Sequence, residues 1–370
     1  MKTMISNLPV DLLEEILSRV LLKSIGAVRS TCKNWNVLSK DERFANKHIE
    51  KTAASQRDKE VLVITVNTKD HLISVKFYDF HKKNFDPSMN RNGILITREK
   101  SDQVVSVRHV FYCNGLLLCL WKGNDKRRLL VCNPYWGKTR WIESPTERYY
   151  KMFAFGYDKS CRTHKILRLS SDDNIVIHVD IYDLSCDSWK TPYEAFHSNV
   201  IKYIKPGLSS KGNTYWIAKD DSEDVYLLCF DFTREKFGPR LPLPFSFAYG
   251  GYASLSSVKE ERLALLLKQR GIIFEIFDVW VTDKLEPGAV SWSKLFKVET
   301  LKLNCRFLFE IFLIDEEKKN FVVFDNCEGS FKTYIIDGES GDFREVESIE
   351  APYSRLDNLV DCYVPSSVQI

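Results

Sequence analysis

The chain has 370 residues, with 53 Lys and Arg against 50 Asp and Glu for a formal charge of +3. That balance argues against a strong electrostatic footprint for nucleic acid or an anionic membrane. A composition of 44% hydrophobic and 28% charged residues is that of an ordinary globular protein, and the length suits a small unit plus one large domain.

The first predicted element lies in the run Leu8 to Val20, with Pro9 at its first helical position. Proline suits a helix start, where its missing N–H has no partner to lose. At 100° per residue, Leu12, Ile16, Val20, Leu13, Leu17 and Leu21 span about 180° of the cylinder, wider than the ~100° stripe a helix needs to dock on one core. Asp11, Glu14, Glu15, Ser18 and Arg19 fill the other side. Either the helix is wedged between two neighbours of its own chain, or part of the arc belongs to another protein. Ser24 with Ile25 and Val28 predicts a second helix, and Trp35 with Leu38 a third. Ser39-Lys40-Asp41-Glu42 has capping-box spacing for a fourth, carrying Phe44 and Ile49. Four short helices in about fifty residues fall below the size that holds a core alone. Exposed apolar surface on such a unit calls for a partner.

Leu8-Pro9, Asp11-Leu12, Glu15-Ile16-Leu17, Arg19, Lys23-Ser24, Arg29, Cys32-Lys33, Trp35, Leu38, Phe44 and His48 resemble the F-box motif in residue type and spacing over about residues 5–48. One position departs: Leu21 stands where such motifs usually carry proline, and leucine can extend the first helix by a turn. The resemblance implies docking on a Skp-type adaptor, and through it a cullin. Leu8, Pro9, Leu12, Ile16, Leu17 and Val20 would form the adaptor face. Trp35 and Leu38 would hold the helices together with some reach to the adaptor, and His48 would be helix-end packing.

Residues 51–60 form a polar bridge, after which the period changes from helical to alternating. Ile73, Val75 and Phe77 alternate with polar neighbours, as do Ile175, Ile177, Val179 and Ile181, the pattern of half-buried strands. Val258 to Lys268 fits a helix by spacing, but its strand-like surroundings decide for strand. An apolar strand running into an Asp or Asn turn, then an aromatic opening the return strand, recurs through the chain. The aromatics are Phe85, Trp141, Trp189, Phe237, Trp292 and Phe343, at steps of 56, 48, 48, 55 and 51 residues. Six copies of about fifty residues predict the four-stranded blades of a β-propeller over 61–370. The aromatics are expected to be blade core, and Leu359 to Val364 a closing strand beside Val61 to Val66. Two stacked β-sandwich domains are the alternative, which the even spacing disfavours.

Asn133-Pro134-Tyr135 with Thr139-Arg140-Trp141, Phe155-Gly156-Tyr157-Asp158, Lys165-Ile166-Leu167-Arg168, Tyr182-Asp183-Leu184 with Ser188-Trp189, Lys211 to Trp216, Phe230 to Thr233 with Phe237, and Trp280 to Trp292 are similar to the type 1 F-box-associated domain of plant F-box proteins. That family implies a β-propeller acting as the substrate-binding half. Kelch and WD-type signatures are absent, Gly250-Gly251 being the only double glycine. The predicted architecture is therefore a small helical F-box, residues 1–50, followed by an all-β propeller.

Residues for bond chemistry are not found in a recognisable spacing. The seven histidines are scattered, with no HExxH and no CxxC among the ten cysteines. Several cysteines sit in apolar runs as buried free thiols do, so a reducing compartment, cytosolic or nuclear, is expected. The run Leu116 to Trp121 is too short to span a bilayer. Asp220, Asp221, Glu223 and Asp224 lack the glycine and spacing of an EF-hand loop and predict a solvated turn. Lys122 with Lys126-Arg127-Arg128 predicts an exposed turn between strands, not a nucleic-acid patch. His178 alternates within a strand and is expected to face solvent or a neighbouring blade. Tyr149, Tyr150, Phe245, Phe247, Tyr249 and Tyr252 are candidate substrate anchors, since Tyr and Trp anchor interfaces at low entropic cost. The expectation is a non-enzymatic substrate receptor of a cullin-type ubiquitin ligase, with no cofactor, metal, nucleic acid or membrane. Its rivals are an adaptor-binding scaffold that targets nothing for degradation, and a propeller enzyme or glycan binder.

Overall fold

Proline at position 9 caps the first helix with extended backbone, φ −52° and ψ 145°, and its carbonyl accepts from the Leu12 and Leu13 amides at 3.1 Å. The helix, α1, is Val10–Leu17, so Pro9 stands one place earlier than expected. α2 is Ile25–Thr31 and α3 is Lys33–Leu38. These assignments come from a computed structural model, which describes residues 9–20, 25–31, 33–39, 41, 43–45, 47–49, 51, 61–67, 72–78, 95–96, 106–122, 127–133, 135–136, 138–143, 150–172, 175–192, 203–204, 207–220, 222–245, 252–258, 261–270, 274–301, 312–316, 318–327, 330–346, 354–360, 368 and 370.

The cap of the fourth helical stretch is Asp41, not Ser39. Its Oδ1 accepts from the Arg43 and Phe44 amides at 2.9 and 3.2 Å, the usual reach of a capping carboxylate. The Ser39 hydroxyl closes α3 by donating to the Asn36 carbonyl at 3.1 Å. Residues 43–45, 47–49 and 51 are helical.

The strands run β1 Val61–Asn67, β2 Leu72–Tyr78, β3 Leu95–Ile96, β4 Ser106–Cys113, β5 Leu116–Lys122, β6 Arg127–Asn133, β7 Lys138–Ile142, β8 Tyr150–Asp158, β9 Thr163–Asp172, β10 Ile175–Asp183, β11 Ser188–Lys190, β12 Tyr203–Ile204, β13 Leu208–Ser210, β14 Asn213–Lys219, β15 Val225–Asp231, β16 Lys236–Phe237, β17 Tyr252–Val258, β18 Arg262–Arg270, β19 Phe274–Glu286, β20 Ala289–Leu301, β21 Phe312–Asp315, β22 Asn320–Cys327, β23 Ser330–Asp337, β24 Phe343–Val346 and β25 Ser354–Val360. Among the described residues they form six sheets. Five use strands consecutive in sequence, and the sheet of β14 has β12 and β13 both paired to that strand. The remaining sheet has the order β25-β1-β2-β3, so a strand from the far end of the chain completes the first sheet. That strand begins five residues earlier than expected, and 361–364 lie outside the described residues. Of the stretch Val258 to Lys268, read as one strand, Val258 closes β17 and 262–268 belong to its hairpin partner β18, with residue 261 in the turn.

Four hairpins share one turn chemistry, and this is the repeat visible in the sequence. Where the third strand of a sheet ends, an Asn or Asp side chain accepts from amides two or three residues on. Asn133 does so to Tyr135 and Trp136 at 2.9 and 3.3 Å. Asp183 caps Ser185 at 2.8 Å, Asp231 caps Thr233 and Arg234 at 2.9 and 3.0 Å, and Asp337 caps Glu339 and Ser340 at 2.9 and 2.7 Å. Such side chains mimic a backbone turn. Four residues after the cap, Asp187, Glu235 and Gly341 take φ of 53°, 55° and 79°, the left-handed step that returns the chain into the next strand. The Asp283 copy differs: β19 continues through a bulge to a turn at Pro287-Gly288, and Asp283 instead accepts from the Ser293 hydroxyl at 2.6 Å. The copy at Asp79 lies outside the described residues.

The aromatics after these turns divide: Phe237 packs against the core of Trp216 and Phe230, and Trp292 against those of Tyr215 and Leu265, while Trp141, Trp189 and Phe343 do not join these clusters. Trp141 and Phe343 are exposed, and Trp189, Phe237 and Trp292 half-buried. They stand on the last strand of their sheets.

The chain divides into two compact units. One comprises residues 1–110, 114–143 and 355–370, the other 111–113 and 144–354. In the second, the cores lie between successive sheets. Ala154, Leu167, Val179 and Ile181 pack with Trp216, Leu228, Phe230 and Phe232. Tyr215, Leu227 and Cys229 pack with Leu263 and Leu285, and Leu266, Phe277 and Val279 with Phe312, Phe321 and Tyr334. Each buried side chain of this size contributes about 1.5–3 kcal/mol. Gly156 is required because a Cβ there would lie 2.0 Å from the Phe232 ring. Beside it the Lys165 ammonium, itself buried, donates to Asp158 and Glu235 at 2.6 Å each. Burial opposes the Asp158 charge, but Lys165 and Ser160 outweigh it and hold the carboxyl well below its usual range.

Candidate functional site: the first helix and its seat

The apolar arc of α1 divides in two. Leu13 and Leu17 turn inward, at 5% and 0% exposure, while Leu12 and Ile16 turn outward at 52% and 47%. Four residues apart, Leu12 and Ile16 share one stripe of the helix. Val10 and Val37 are also exposed, at 60% and 72%. Four of the seven large hydrophobic side chains exposed among the described residues therefore lie on these short helices, which locates the apolar surface available to a partner.

The expected adaptor face is thus only partly outward. Pro9 is exposed and Val20 half-buried, and Leu8 lies outside the described residues. Leu17 differs from expectation: at 100° per residue it falls beside Leu13 on the inward half, and it is fully buried. Trp35 and Leu38 are half-buried on α3. The helix ends at Leu17 and residues 18–20 are turn, so no helical extension runs through Val20; Leu21 lies outside the described residues.

The end of α1 is closed by polar contacts. The Ser18 hydroxyl donates to the Glu15 carbonyl at 2.9 Å, and Lys51 Nζ reaches both Ser18 Oγ at 3.1 Å and Glu15 Oε2 at 2.8 Å. Lys51, with Arg19 on the other side, lowers the Glu15 carboxyl to about 2. His48, fully buried, places Nε2 2.7 Å from the Val20 carbonyl and Nδ1 3.1 Å from the Tyr135 hydroxyl. A carbonyl only accepts, so Nε2 carries the proton, and Nδ1 accepts from Tyr135. Burial, with the Arg29 charge nearby, pushes the His48 pKa down, and burial pushes the Tyr135 phenol up to about 12.

Tyr135 belongs to the turn after β6, so the helices rest on that turn. Arg29 Nη1 donates to the Tyr135 carbonyl at 2.6 Å. Its Nε and Nη2 reach the Ser39 hydroxyl and carbonyl at 3.3 Å, and its guanidinium lies 5.2 and 5.1 Å from the ring centroids of Tyr135 and Trp136. Phe44 stacks on His48 at 5.8 Å. Sequence reasoning missed this seat. Arg29, His48 and Asn133-Pro134-Tyr135 were each visible as motif residues, but their separation of about a hundred positions left the pairing unreadable.

The candidate substrate anchors do not converge. Tyr252 packs against the core shared by β18 and β22, and Phe245 against the cluster of Ile217 and Leu265. Tyr150 opens β8, and Tyr149, Phe247 and Tyr249 lie outside the described residues. His178 bonds Asp180 at 3.0 Å, beside the buried pair of Arg168 and Asp180 at 2.8 Å. Asp220 caps its turn through Ser222 and Asp224 at 2.9 and 3.1 Å and pairs with Arg240, so that acidic cluster is built as a hairpin. No group of three metal-ligating side chains occurs among the described residues, and no described helix is long and apolar enough to cross a membrane.

Compared with known proteins, residues 59–370 match the family described as F-box associated beta propeller domain, and residues 5–47 the F-box domain. F-box protein At3g20690 of Arabidopsis thaliana is 46% identical over 379 residues, covering 99% of this chain and all of its own. F-box/kelch-repeat protein At3g16740 of the same plant is 41% identical over 400 residues, with 99% of each chain covered. Among solved structures, TolB from Acinetobacter baumannii aligns with a TM-score of 0.46 at 12% identity, over 85% of this chain and 71% of its own.

Proposed function

The chain belongs to the F-box proteins that carry an F-box associated β-propeller, and from that premise we propose that it is the substrate-recognition subunit of a cullin-type ubiquitin ligase. The outward half of α1 docks on a Skp-type adaptor, and the propeller holds a protein substrate. The observation that carries this reading is the exposure of Leu12 and Ile16 on a helix whose inward half, Leu13 and Leu17, is buried. Pro9 adjoins that stripe, Val10 and Val37 add apolar surface, and Leu8 joins them by its place in the motif. Catalysis is then proximity: the receptor raises the effective concentration of a substrate lysine beside the charged ubiquitin carrier, and no side chain here exchanges bonds. A cytosolic or nuclear location goes with that role.

The test is affinity capture of the full chain after proteasome block, beside Leu12→Asp with Ile16→Asp. These side chains are exposed, so the double variant keeps its core. The proposal expects adaptor and cullin to disappear from the variant's partners while a ubiquitinated protein captured by the wild type stays bound. Equal recovery of adaptor by both forms, or no adaptor with the wild type, would overturn it.

A further inference from the structure

Three independent holds converge on the turn between β6 and β7. Arg29 grips its backbone and its two aromatic rings, His48 bonds the Tyr135 hydroxyl while tied to the end of α1, and Asn133 shapes the turn from within. The Asn133 amide also donates to the Val368 carbonyl at 2.8 Å, adding the end of the chain. Tyr135 and His48 are both buried at 1% or less, so these bonds form away from water, where an unmade one costs most.

We propose that this turn is a rigid mount for the adaptor-binding helices, and that Arg29 and His48 are positioning residues for ubiquitin transfer. Held by a flexible tether of about nine residues alone, two domains would wander over about 16 Å relative to each other, and the adaptor's distance from the sheet with it. The mount removes that freedom. Arg29 suits this position because its guanidinium is planar. One such group meets two carbonyls, a hydroxyl and two ring faces at once, which a lysine ammonium does not. The mount also joins the two ends energetically, so an adaptor that stabilises α1 stabilises the β4–β7 sheet behind it. This inference rests on α1 as the adaptor face, and its test separates the two.

Native-state hydrogen exchange is followed on the full chain in increasing urea, alone and with a purified Skp-type adaptor. Without adaptor, the amides of α1–α3 and of β5–β7 should open together in the wild type. In Arg29→Met, which keeps the apolar stem, the helices should exchange roughly ten- to a hundredfold faster while β14 and β15 stay unchanged. With adaptor, protection should extend from α1 to the β6–β7 turn in the wild type and stop at the helices in Arg29→Met. His48→Gln, whose amide can still donate to Val20 and accept from Tyr135, should retain the coupling that His48→Leu loses. Helices that open independently of β5–β7 in the wild type, or coupling that survives Arg29→Met, would overturn the mount. Failure of the wild type to bind adaptor would instead overturn the reading of α1, because the arm without adaptor still decides the mount.

Discussion

A buried imidazole wedged between a carbonyl and a phenol has one comfortable state, and His48 is held in it. With Nε2–H given to Val20 and Nδ1 accepting from Tyr135, a second proton finds burial and the Arg29 cation against it, so the folded pKa lies below the ordinary 6.5. The unfolded chain takes up that proton as pH falls through about 6.5, and the folded chain does not. His48 therefore contributes stability that is full above the unfolded pKa and is lost as pH falls toward the folded one. Urea midpoints measured at about pH 7.5 and about pH 5.5 should fall toward acid for the unit holding the helices, and fall less in His48→Gln. A midpoint rising toward acid would contradict a neutral buried imidazole. At this scale the sequence showed residue types well and orientation poorly. A wheel marked Leu12, Leu13, Ile16 and Leu17 as one apolar arc, but which half faced inward depended on neighbours distant along the chain. Ser39 and Asp41 both fitted a cap, and the choice fell to Asp41 because the Ser39 hydroxyl is already engaged with Asn36 and Arg29.

Among the elements, the hairpins after the third strands recur most faithfully. Their Asx caps were legible because Asn or Asp stood before each return strand, and a turn residue acts locally. The aromatic beside each cap was equally visible, yet its burial was not, since exposure depends on what packs against it. The Asp283 copy kept the signal and lost the geometry when β19 bulged and ran on. Asp231 tests the reading: with two amides capped through one oxygen, Asp231→Ala should destabilise the second unit by about 1–2 kcal/mol, and Asp231→Asn by much less. Denaturant melts of the full chain measure this, and an Ala variant as stable as wild type would reduce the cap to decoration of the turn.

For the molecule as a whole, periodicity and spacing were enough to read short helices followed by repeated four-stranded sheets, because both are written in local patterns. The strand β25 beside β1 was anticipated from the need to complete the first sheet, though its start was misplaced. What escaped was the seat of the helices on the β6–β7 turn, which is a pairing of distant positions and has no local signature. That seat matters in practice: deleting residues 1–50 would remove Arg29 and His48 and bare Tyr135, so exposed-face substitutions separate adaptor binding from folding more cleanly. The most direct measurement is a titration of the purified full chain with a purified Skp-type adaptor, comparing wild type with Leu12→Asp plus Ile16→Asp. Placing two charges at the centre of an apolar interface should weaken binding by about thirtyfold or more, with the thermal midpoint of the free chain unchanged. Affinity within a factor of about two of wild type would place the adaptor elsewhere and contradict the account.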